Sequence, residues 1–191
     1  MGAGILKAVA KVFPHIPDFI CHFHFLRDIG KDFLAEQYDV IRKRLRKHQI
    51  SSKLRHRAKH LKRRIDQYPG IIDVLKAGIE DQPLPALSLE WLPVLNGYTL
   101  IGWALEARAE GDGYGFPFDL PHLTFAKRLA ELHAHVDKLK DLQLRGQWKD
   151  NQPYFKILAD LKEITKDKVL WKAVEEIERK STVFERLREA M

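Results

Sequence analysis

Twelve basic side chains stand between Arg42 and Arg64: Arg42, Lys43, Arg44, Arg46, Lys47, Lys53, Arg55, Arg57, Lys59, Lys62, Arg63 and Arg64, with no Asp or Glu among them. Of the chain's 33 Lys and Arg, the remainder of the sequence therefore holds 21 against 26 acidic groups, so the net charge of +7 originates in this one block. Like charges at such density repel one another and are ordinarily offset by a polyanion. A solvated helix face normally mixes signs, and this one does not. The chemistry on offer is phosphate binding, in which each phosphate neutralised on duplex DNA steepens the log–log salt dependence by about 0.9. Gln49 and Asn96 stand too far apart to form a base-reading set, so the backbone of the polyanion is the expected target.

Other chemistry-bearing residues are sparser. Glu106 and Glu110 are one helical turn apart with Asp112 close behind, a spacing that suits magnesium and equally suits a solvated helix end pairing with Arg108 or Lys127. Cys21 and His24 have the spacing of half a zinc site, and His56 and His60 are placed one turn apart to complete it. The plainer reading is a buried thiol beside a hydrogen-bonded histidine. With one cysteine in the chain, no metal ligand set is assigned and no cofactor is expected. The loop Gly111-Asp112-Gly113-Tyr114-Gly115-Phe116-Pro117 lacks a following Lys-Ser/Thr and does not read as a phosphate loop. The tryptophans read as core or interface anchors, and His133 and His135 do not share a helix face.

Mostly helices must position these groups. At 191 residues the chain suits one domain or two small ones, and 45% apolar content is enough for a core. Helical periodicity runs through Ile16, Ile20, Phe23, Leu26, Gly30, Phe33, Ile41 and Leu45, while Phe19, Cys21, Phe23 and Phe25 alternate as in a strand. An isolated strand leaves its backbone unpaired, so helix is preferred, with one short strand around 18–24 as the alternative. Ser51 and Ser52 offer an N-cap for a basic helix over 53–67, with Leu54, Leu61 and Ile65 inward. Further helices are expected over 71–79, from Ser88 through at least Ala104, over 122–142, 153–164 and 166–190. The last carries a seam of Leu170, Val174, Ile177, Ser181 and Phe184. The expected fold is mainly α, a bundle of about seven to eight helices. A basic region over 1–82 is followed across the Pro83–Pro85 linker by a helical region over 83–191, or the two form one continuous domain.

The run Val12-Phe13-Pro14-His15-Ile16-Pro17-Asp18-Phe19-Ile20-Cys21-His22-Phe23-His24-Phe25-Leu26-Arg27-Asp28 resembles a recurrent stretch of Mutator-like and related bacterial DDE transposases. In that family a helix ending in Phe-Pro leads to a buried strand with a Cys-x-x-His element. The likeness covers roughly residues 5–130. It implies an RNase H-like ancestry in which three carboxylates hold two metal ions that activate water or a 3′ hydroxyl. Met1-Gly2-Ala3 stands where the family has Asp-Gly-Ala. The first two carboxylates are thus missing from this chain, and Glu106 or Glu110 corresponds to the third. Mg²⁺ is implied only as part of a complete DDE site, and strand transfer is not expected of this chain alone. Without the sheet-bearing strands, a recast helical fold is expected.

These readings converge on a nucleic-acid-binding, transposase-like protein whose partner is DNA, with RNA also compatible. One rival is a helical module that self-associates into a homo-oligomer through its C-terminal helix. The other is a metal-dependent nuclease fragment. Mean hydropathy is −0.34 and no apolar run nears the ~20 residues of a membrane span. No signal peptide is read at the N-terminus, and a single cysteine excludes a disulfide framework. The expected location is the cytoplasm, at a bacterial or archaeal nucleoid, with no membrane partner.

Overall fold

The structure, a computed structural model, describes residues 22–68, 70, 71, 73, 86–140 and 152–190, together with Lys11. Six α-helices and one 3-10 turn are present among the described residues: α1 (His22–Lys47), α2 (Ile50–Asp66), α3 (Ala86–Glu106), the turn Ala107–Ala109, α4 (Pro121–Lys140), α5 (Gln152–Thr165) and α6 (Lys168–Glu189). The class is all-α, with six of the expected seven to eight helices among the described residues; most of the helix expected over 71–79 lies outside them. Lys11, Ile71 and Asp73 also have helical backbone. The strand alternative fails over 22–24, which open α1, and Cys21 with the rest of 18–21 lies outside the described residues. No described helix is long and apolar enough to cross a membrane.

α3 explains the architecture. Between Trp91 and Leu105 it carries no charged side chain, and a helix apolar all round must be enclosed. It packs against α2, α4 and α5. Pro93 lies two turns inside α3, deeper than a start at Ser88 implied, and its ring is buried. The other helices are amphipathic and turn one stripe inward. Leu26, Leu34, Ile41 and Leu45 of α1 are buried, as are Leu54, Leu61 and Ile65 of α2 and Leu123, Ala126, Leu129, Leu132 and Val136 of α4. Each large side chain so enclosed contributes about 1.5–3 kcal/mol. A single hydrophobic cluster contains residues from both sides of the 82/83 boundary.

α6 lies along α1 and uses the seam to do so: Leu170, Val174, Ile177 and Phe184 are buried and Ser181 is half-buried. The surface that suggested self-association is therefore occupied by a helix of the same chain. Gly30 permits the close approach, because a Cβ there would lie 2.5 Å from Pro117 Cγ and 2.8 Å from the Phe184 ring. One buried polar side chain crosses the seam and is satisfied: Gln37 donates to Glu176 Oε1 at 3.0 Å and accepts from Lys180 Nζ at 2.7 Å.

α1 and α2 are joined by His48 and Gln49 alone. Gln49 has φ 51°, in the left-handed region, and no side chain caps α2. The serine cap expected at Ser51 or Ser52 does not form, since Ile50 is already helical and the helix starts earlier. The glycine loop is tied back by a single carboxylate. Asp119 Oδ1 accepts from Asp112 N–H at 2.8 Å and Oδ2 from Gly115 N–H at 2.6 Å. Gly111, Gly113 and Gly115 supply three positive φ angles that this turn requires. These amides face an internal acid.

Candidate nucleic-acid interface

The twelve basic side chains separate into an inward and an outward set. Arg44 donates from Nε and Nη2 to the two oxygens of Asp167, both at 2.8 Å. Arg57 Nε donates to Asp160 Oδ2 at 2.8 Å. Arg64 sits 5.7 Å above the ring centroid of Trp91. These three sit on the flanks of the buried stripes, where α1 meets α6 and where α2 meets α5 and α3, and they hold helices together. Their enrolment in a phosphate-binding set fits their positions poorly. Two more are outward but paired on their own helices, Arg42 with Asp39 at 2.9 Å and Lys62 with Asp66 at 2.8 Å. Exposed pairs of this kind are worth little and exchange readily.

Seven remain: Lys43, Arg46, Lys47, Lys53, Arg55, Lys59 and Arg63 are exposed, with no carboxylate partner among the described residues. At about 100° per residue, Ser52, Arg55, Lys59 and Lys62 share one side of α2, and Arg63 with His56 and His60 borders them. On α1, Arg42 and Arg46 are successive on one side and Lys43 and Lys47 on the next. The outward sides of α1 and α2 thus carry a cationic surface bent at Gln49. Burial, then the charges of Lys156, Arg57, Arg64 and His56, hold the His60 pKa below the ordinary value. No protein-family model, curated protein or solved structure matches the chain.

Glu106 and Glu110 are not one turn apart on a common helix. The 3-10 turn Ala107–Ala109 intervenes, and Glu110 has extended backbone. Glu110 is bound to Arg128, whose other Nη donates to the Trp103 carbonyl at 2.6 Å. Its partner is therefore neither Arg108 nor Lys127, which pairs with Glu178 at 2.8 Å. Glu106 is exposed at the end of α3. His24 is exposed on the first turn of α1, and His56 and His60 are exposed on α2. Among the described residues no three His, Cys, Asp or Glu side chains gather in a metal-holding group.

Sequence reasoning missed what lies at the bend. Arg108, Ser51, Ser52 and His122 join Arg42 and Arg46 around one recess. Arg108 stands more than 40 residues from the basic block, with Glu106 and Glu110 on either side. Nothing local in the sequence associates it with Arg42.

Proposed function

We propose that the chain binds nucleic acid through the outward sides of α1 and α2. The observation that carries this reading is the set of seven exposed Lys and Arg side chains without carboxylate partners among the described residues, on two consecutive helices. Polyphosphate backbones neutralise such surfaces and release counterions as they bind. The bend at Gln49 and the lack of a base-reading set in the sequence favour recognition of backbone shape and charge over base identity. The likeness of residues 12–28 to Mutator-like DDE transposases supports DNA as the natural ligand and a transposase-derived origin. Catalysis is not part of the proposal, because Glu110 is engaged with Arg128 and Glu106 has no acidic neighbour in a ligand group among the described residues.

Fluorescence anisotropy with labelled duplex and single-stranded oligonucleotides, read from 50 to 200 mM salt, tests the reading. Binding at the low end is expected, weakening by orders of magnitude toward the high end. Substituting Arg55, Lys59 and Arg63 by Gln should lower the salt slope by about one unit for each phosphate that is no longer neutralised. No binding to either form at 50 mM salt overturns the reading.

A further inference from the structure

The recess at the bend has a volume of about 240 Å³ and is walled by four elements: α1, the first turn of α2, the 3-10 turn and the start of α4. Arg42 and Arg46 line it from α1, Ser51 and Ser52 from α2, Arg108 from the 3-10 turn and His122 from α4, and no described Asp or Glu lines it. The floor is apolar, built from Leu45 and from Phe125, which is 1% exposed. Arg46 has no carboxylate partner among the described residues, and the Arg108 guanidinium donates to Ser51 Oγ at 3.2 Å.

We propose that this recess receives the terminal phosphate monoester of a nucleic-acid strand, with the chain of nucleotides continuing along α2.

Three guanidiniums and two hydroxyls around a closed floor match a tetrahedral dianion. Arginine donates in a fork that pairs two phosphate oxygens at once. A monoester has three non-bridging oxygens and close to two charges at neutral pH. An internal diester has two such oxygens and one charge, and it must enter and leave with sugars on both sides. The floor of Leu45 and Phe125 suits a group that ends in the recess. The field is already marked on His122, whose pKa burial first and then Arg108, Arg42 and Arg46 hold below the ordinary value.

Direction comes from α2. Ser52 lies at the rim, and Arg55, Lys59 and Lys62 follow it at offsets of three, seven and ten residues. At about 1.5 Å rise per residue they form a cationic track on the order of 15 Å long leading away from the recess. A strand anchored by its end would lie along that track. The inference rests on the nucleic-acid reading above and goes beyond it by naming which part of the strand the protein holds tightest.

The test measures affinities of the full chain for one single-stranded oligonucleotide in three forms: 5′-phosphorylated, 3′-phosphorylated and with both ends hydroxyl. A nucleoside monophosphate serves as a competitor. One phosphorylated form is expected to bind about tenfold tighter or more than the hydroxyl form, as charge-assisted hydrogen bonds to a dianion allow. In Arg108→Gln and, separately, Arg46→Gln, both at exposed positions, the ratio between the forms should fall toward one whatever happens to overall affinity. Equal affinity of all three forms overturns the end-recognition proposal and leaves general nucleic-acid binding standing. A preference that survives both substitutions also overturns it, because the end would then be held elsewhere. Binding of the monophosphate with no binding of any oligonucleotide overturns both readings and assigns the recess to a small phosphorylated ligand.

Discussion

Four residues meet on the side chain of Asp167: Arg44, His48, Val169 and Leu170. Its carboxylate is 2% exposed, caps α6 by accepting from the amides of Val169 and Leu170 at 3.1 Å, and takes Arg44 and His48 from α1 and the bend. Burial opposes its ionisation, yet the hydrogen bonds from Arg44 and His48 prevail and hold it well below the usual carboxylate range. Its folded pKa is depressed, so its contribution to stability is complete above the unfolded value of about 3.9 and is lost as pH falls through the folded value. Asp167→Asn should cost on the order of 3 kcal/mol, since it keeps a capping oxygen but removes the charge from an enclosed pair and leaves Arg44 without its counter-ion. Urea unfolding at pH 7 measures this, and an unchanged midpoint would mean that Arg44 and His48 find water equally well. His122 acts in the same direction at higher pH. Its folded pKa lies below the unfolded value of about 6.5, so the unfolded chain takes up that proton first and stability declines as pH drops past that point. Arg108, Arg42 and Arg46 and the Tyr38 ring at 5.6 Å surround it. An anion in the recess would offset the three guanidiniums, so adding sulfate should raise the His122 pKa in an NMR titration.

Among the helices, the contact of α1 with α6 and with the glycine loop tolerates no added volume at Gly30. A methyl there would meet Pro117 and the Phe184 ring, and Gly30→Ala should destabilise by about 1–3 kcal/mol through overpacking. Gln49 presents the opposite case. A non-glycine residue in left-handed backbone is strained by roughly 1–2 kcal/mol, so Gln49→Gly should raise the unfolding midpoint, by up to about 1 kcal/mol after the added freedom of the unfolded chain is counted. What the sequence revealed of these elements follows from burial. Wherever the 3.6-residue period is unbroken, as in Ile41, Leu45, Leu54, Leu61 and Ile65 or the stripe from Leu123 to Val136, the inward residues are the ones expected. At the start of α1 the expectation fails, because Phe23 and Phe33, read as part of the helical stripe, are exposed together with Phe25. Phe23 instead stacks on Phe118 at 5.0 Å, a partner nearly a hundred residues away. The division of the basic block is hidden for the same reason. Asp160 and Asp167 lie over a hundred residues from Arg57 and Arg44, and no local pattern announces which charge turns inward. The recess is hidden too, since Arg108 reaches it only through the fold.

Taken together, the positive charges fall into two sets that salt separates. The Arg44–Asp167 and Arg57–Asp160 pairs are sheltered, with Asp167 2% and Asp160 17% exposed, and sheltered pairs are screened far less than exposed charges. The seven outward side chains face solvent and lose reach as the Debye length shrinks from ~10 Å at 0.1 M to ~3 Å at 1 M. Raising salt to about 0.5 M should therefore strip bound nucleic acid while leaving the thermal unfolding midpoint nearly unmoved. A midpoint that collapsed in step with ligand release would show that the polyanion, and not the two bridges, keeps the basic helices in place.

Trp91 sits at the edge of this arrangement, under the Arg64 guanidinium and against the Tyr68 ring at 4.6 Å. A guanidinium parked over an indole alters the energy of its excited state, and a polyanion settling on the outward side of α2, beside Arg63, would change the electric field at that indole. The protein thereby carries its own optical sensor. Steady-state emission excited at the red edge of absorption should change on titration with unlabelled oligonucleotide, and Trp91→Phe should reduce that response, leaving only what Trp103, Trp148 and Trp171 contribute.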